Sequence, residues 1–107
     1  MNDPRSELRR LAQLAHEREL KNVLLELFGR FDQWRRGQLD AFQLNEELRR
    51  HSAETSKTLQ SKYGSTPPET AVAMAVVTGV LREDEVEAQC MAIITPQINY
   101  LRDKARR

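Results

Sequence analysis

Side chains able to do chemistry are few in this chain, and their spacing does not assemble them. The single cysteine, Cys90, has Val86, Ile93 and Ile94 as its helical neighbours and no base beside it. That pattern marks a small buried hydrophobe rather than a nucleophile. His16 stands in the run His16-Glu17-Arg18-Glu19, and His51 follows Glu47 by four residues. Di-metal sites in helical bundles are built from Glu-x-x-His pairs on facing helices. Neither histidine has a Glu three residues before it, so both are expected to be exposed or to cap local carbonyls. Ser56, Thr58 and Ser61 carry no nucleophile motif, and no glycine-rich phosphate loop is present. The chain is therefore expected to be non-enzymatic, with no catalytic residue, no metal ligand and no cofactor.

The segment FDQWRRGQLDAFQL, residues 31–44, offers a different chemistry. Phe28 and Phe31 precede Asp32, Gly37 follows five residues later, and Leu44 closes the stretch. Through this hydrophobic frame and its glycine, Phe28 to Leu44 resembles an EF-hand. The resemblance implies calcium held by oxygen ligands at loop positions one, three, five and twelve. Placing Gly37 at position six puts Asp32 at one, Trp34 at three, Arg36 at five and Gln43 at twelve. An indole, a guanidinium and an amide cannot do that work, and Arg36 repels the ion. The expectation is an αα-hairpin turning at Gly37, with Phe28, Phe31 and Trp34 facing Phe42, Leu44 and Leu48, and Arg30 near Glu46 or Glu47. Trp34 is expected in the core.

Charge excludes a strong electrostatic steer toward polyanions. There are 17 basic and 16 acidic residues, a formal net charge of +1, so no field of one sign surrounds the molecule. Thirteen of the basic residues are Arg, which pairs carboxylate or phosphate in a bidentate fork. The doublets Arg9-Arg10, Arg35-Arg36 and Arg49-Arg50 and the tail Arg102 to Arg107 are the candidates for nucleic acid. All but the tail have acidic neighbours, and intramolecular pairing is the first expectation. A lone cysteine cannot form an internal disulfide and suits a reducing compartment. The start MNDPRSELRR has no apolar signal core, and the apolar run at 71–81 is too short to span a bilayer. The cytoplasm is the expected location, with no membrane partner.

These residues must be carried by helices. At 107 residues the chain suits one domain, 1–107. Four Gly and four Pro, with abundant Leu, Ala, Glu, Arg and Gln, favour an all-α fold. The signals predict helices over about 7–36, 41–63, 67–78, 83–94 and 96–105. Ser6 can cap the first, Asp40 with Gln43 forms a capping box for the second, and Thr66 with Glu69 forms one for the third. Gly79 ends the third helix, with Val80-Leu81 packing back. Thr95-Pro96 is expected to split the last two. The stretch HSAETSKT, 51–58, is polar and weakly helical, so the second helix is exposed or interrupted there.

The first helix carries two apolar stripes out of phase. Leu24, Leu27, Phe31 and Trp34 repeat at helical spacing, with Leu20 extending them. Leu8, Leu11 and Leu14 or Ala15 form the displaced set, which suits either a bend near 16–19 or a second contact surface. The expected architecture is a compact, irregular bundle of four to five helices with an αα-hairpin at its start. The expected function is a small protein-interaction or self-association module, with Leu8, Leu11 and Leu14 as the interface and a homodimer possible in principle. The alternative is a small nucleic-acid-binding regulator using the Arg doublets and the basic tail.

Overall fold

The computed structural model describes residues 3–106. Helix α1 (Pro4–Arg35) opens on the carboxylate of Asp3, which accepts from the Arg5 amide at 3.3 Å, rather than on Ser6. Pro4 fits the first helical turn, where its missing N–H has no partner to lose. At 1.5 Å per residue a helix of 32 residues runs about 48 Å, close to the 51 Å longest extent of the molecule. The helix ends at Gly37, whose φ of 79° is the left-handed conformation that glycine enters without penalty.

Helix α2 (Ala41–Arg50) starts with the expected capping box. The Gln43 amide donates to Asp40 Oδ1 at 2.7 Å, and the Asp40 amide donates to Gln43 Oε1 at 2.9 Å. The predicted single helix over 41–63 is interrupted. Residues His51–Thr55 form a π-helical turn, in which the Ser56 amide reaches the His51 carbonyl five residues back, and α3 (Ser56–Ser65) follows. The polar, weakly helical run HSAETSKT is where the ladder yields.

Helix α4 (Pro68–Val77) begins one residue later than expected. Pro67 takes the cap position and no side chain caps the helix, so the Thr66–Glu69 box is not formed. Ala71, Val72, Ala73, Ala75 and Val76 are all buried, as an element surrounded by others requires. Gly79 (φ 82°) turns the chain, and the Leu81 amide donates back to the Ala75 carbonyl at 3.1 Å. The expected helix over 83–94 is instead a 3-10 turn, Glu83–Glu85, followed by a continuous α5 (Ala88–Ala105). Pro96 lies inside α5 and does not split it. The Thr95 hydroxyl donates to the Met91 carbonyl at 2.6 Å just ahead of the proline.

The core is made by the first half of α1 together with α4 and α5. Leu8, Leu11, Ala15, Val72, Val76, Leu81, Val86, Cys90, Ile94 and Ile98 form one buried cluster. In α5, Cys90, Ile94 and Ile98 repeat at four-residue intervals across Pro96, so one apolar face continues through the proline. Burial of that face outweighs the roughly 3 kcal/mol that an interior proline costs. The Arg18 guanidinium fastens the α4–α5 connection to α1. It donates to Glu85 Oε2 at 2.7 Å and Oε1 at 2.6 Å, and to the Val80 carbonyl at 3.0 Å.

The second half of α1 runs beyond this core, with α2 and α3 packed along it. The all-α class and the bundle hold, but the bundle is not compact. Its radius of gyration is 17.1 Å, against about 13 Å for a globular domain of this length.

Candidate interaction surface

Helix α1 presents different faces to different surroundings. At roughly 100° per residue, Leu8, Leu11 and Ala15 share one side and enter the core. The side turned away from the core carries Leu24, Phe28 and Phe31. Leu24 is 46% exposed and Phe28 70%. Leu25 and Trp34 stand on the two shoulders of this face, and Trp34 is 45% exposed.

The expected hairpin packing is thus largely overturned. Of the side chains assigned to it, Leu44 is buried, Leu48 is half-buried, and Phe42 is 87% exposed. Trp34 is not a core residue. Helix α2 is one short element and covers only a narrow strip of α1, so the other aromatic groups have nothing to pack on. Arg30 does reach Glu47, at 4.0 Å, while Glu46 holds Arg49 instead.

The sequence-predicted interface is corrected by the same geometry. Leu8 and Leu11 are buried against α4 and α5, with Leu11 wholly inaccessible, and Leu14 packs against the same cluster. The small Ala71 and Ala75 of α4 allow the close approach that covers them. No exposed patch is left there. The exposed apolar surface of α1 lies at the opposite end, on Leu24, Phe28 and Phe31.

The surface as a whole is large for the mass. The chain exposes 7725 Å², whereas a monomeric globule of 12.4 kDa exposes about 6,100 Å². The surplus, on the order of 1,500 Å², is larger than the roughly 800 Å² that one partner contributes to a standard protein interface. Leu24, Phe28 and Phe31 lie within that exposed surface, and neighbouring apolar groups left open in this way mark interaction sites.

Between α1 and the π-helical turn lies an open cleft of about 340 Å³, lined by Gly29, Arg30, Glu47, Arg50 and His51. Nothing lies within 4 Å of where a Gly29 side chain would begin, so close helix packing does not explain that glycine. The buried Nδ1 of His51 has no hydrogen-bond partner among the described residues. His16 is half-buried and stacks on Tyr63, with ring centroids 4.8 Å apart and 8° between the planes. Burial and the Glu19 carboxylate push the Tyr63 hydroxyl above its usual range. The two histidines therefore sit on separate surfaces, with His51 at the C-cap position of α2 through its backbone N–H.

The EF-hand-like carboxylates are engaged elsewhere. Asp32 holds Arg35 and Arg36, each at 3.0 Å, and Asp40 caps α2. Among the described residues no group of three or more His, Cys, Asp or Glu converges. Cys90 is wholly buried, its Sγ 3.8 Å from the Pro4 carbonyl, and burial raises its thiol. The Arg doublets are divided by their own carboxylates. Arg10 pairs with Glu7, Arg49 with Glu46, and Arg102 of the tail with Glu83. Arg107 lies outside the described residues. Among the described residues no helix is long and apolar enough to cross a membrane.

Compared with known proteins, the chain matches no family model, no curated protein and no solved structure. The outward face of α1 was present in the sequence only in part, as Leu24 and Phe31 of the 24–27–31–34 repeat, since Phe28 stands outside that repeat and Leu27 is half-buried. What could have marked it as surface was the absence of a second apolar partner in the thinly apolar residues 41–63.

Proposed function

We propose that this chain is a non-enzymatic helical module that works by contact with another protein or with itself, through the outward face of α1. The observation that carries this reading is the row Leu24, Phe28 and Phe31, exposed on the half of α1 that runs beyond the core. Aromatic and aliphatic groups on a rigid helix lose little freedom on docking and supply most of the binding energy in helix-mediated contacts. The ion pairs that divide the Arg doublets support a protein partner over a polyanion.

Phe28→Glu tests the reading, because it changes an exposed side chain and leaves the core alone. Tagged wild type and variant are used to capture proteins, including an untagged copy, from one lysate with and without nuclease. The expected result is nuclease-resistant capture by the wild type that the variant loses while its thermal melt is unchanged. Capture that persists in the variant, or that nuclease abolishes, overturns it.

A further inference from the structure

Resting on that reading of the α1 face, we infer that its occupant is a second copy of this chain, lying antiparallel along the first. Six exposed residues mark the face: Glu17, Lys21, Leu24, Phe28, Phe31 and Arg35. Their spacing of 4-3-4-3-4 keeps them within a narrow sector of the helix. The same spacing is symmetric about residue 26. A two-fold axis there sets Leu24 against Phe28, Lys21 against Phe31 and Glu17 against Arg35, each pair occurring twice.

The chemistry of the pairs fits that symmetry. Leu24 and Phe28 form an apolar centre. Lys21 lays its aliphatic stem and its cation over the Phe31 ring. Glu17 and Lys21 have no ion pair among the described residues. At the other end one carboxylate, Asp32, serves both Arg35 and Arg36, so positive charge is in surplus there. A parallel arrangement would instead set Glu17 against Glu17 and Arg35 against Arg35, which costs affinity. An isologous contact demands a self-complementary patch, and this face is one.

Charge reversal across the axis tests the arrangement. Both Glu17 and Arg35 are exposed, so Glu17→Arg and Arg35→Glu leave the fold intact, which circular dichroism checks. Sedimentation velocity across the micromolar range is expected to show a concentration-dependent dimer for the wild type. Each single reversal is expected to weaken it at least about tenfold. The double variant Glu17→Arg/Arg35→Glu restores it. A wild type that stays monomeric throughout overturns the proposal, as do single variants that associate like the wild type, or a double variant no better than either single. If the monomeric wild type still captures a different protein through Phe28, the broader reading stands and only the second copy is lost.

Discussion

Arg18 and Glu85 meet in a bidentate ion pair, 2.6 and 2.7 Å long, across 67 residues of sequence. The pair joins the middle of α1 to the 3-10 turn before α5, where the core ends and the half of α1 flanked by α2 and α3 begins. Arg18 also donates to the Val80 carbonyl, and the Arg82 amide donates to Glu85 at 2.9 Å. The Arg18 guanidinium and then the Arg82 amide hold the Glu85 carboxyl down at about 2.

That depression gives stability a sign and a window in pH. The unfolded carboxyl titrates near 4.5 and the folded one at about 2, so the unfolded chain takes up the proton first as pH falls. The contribution is complete above the unfolded value and is lost on the way down to the folded one. Glu85→Gln is expected to melt below the wild type at neutral pH. The gap narrows as pH falls through that window, and melting curves at a series of pH values check it.

Leu11 and Phe42 separate core from surface. Leu11→Ala is expected to destabilise the chain by about 3 kcal/mol, since a wholly buried side chain leaves a cavity. Phe42→Ser, at a site 87% exposed, is expected to change stability by less than about 0.5 kcal/mol. Urea denaturation of the two variants makes the comparison.

Gly29 weakens α1 without a packing reason. Gly29→Ala meets open space and is expected to stabilise the fold by about 1 kcal/mol. The same denaturation assay reads it.

His51 offers a complementary test at the cleft. Its Nδ1 is buried and makes no hydrogen bond within the described residues, so His51→Leu removes no internal bond, relieves an unpartnered atom and is expected to stabilise the fold by about 1 kcal/mol. A large loss in the thermal melt would contradict that.

Cys90 should report opening of the core. The thiol is inaccessible and burial raises it, so labelling by a thiol reagent is expected to be slow in the native protein and fast in denaturant. Because Cys90 lies beside Pro4, fraying of the start of α1 is expected to speed it.

Local chemistry was the legible part of this fold. Gly37 and the Asp40–Gln43 box act within a few residues, and both stand where the sequence placed them. Cys90 as a buried hydrophobe and the return of Leu81 followed from apolar spacing alone. Competition between local and distant forces was not legible. Pro96 was expected to break a helix, yet the Cys90–Ile94–Ile98 face carries α5 through it. Thr66 was expected to cap, yet Pro67 took that position. The two stripes of α1 are similarly apolar, and sequence alone could not say which would find a partner. The small residues of α4 decided for Leu8 and Leu11, leaving Leu24, Phe31 and Trp34 of the other stripe outside, with Phe28 beside them completing the candidate site.

The π-helical turn at His51–Thr55 also sets the angular phase of everything after it. A regular α-helix through these residues would bring α3 out rotated by a fraction of a turn. Tyr63 would then swing off His16, and Lys62 off Glu19, which it now meets at 3.0 Å. Removing a single residue from this turn would therefore act as a change of gearing, felt a full two turns downstream.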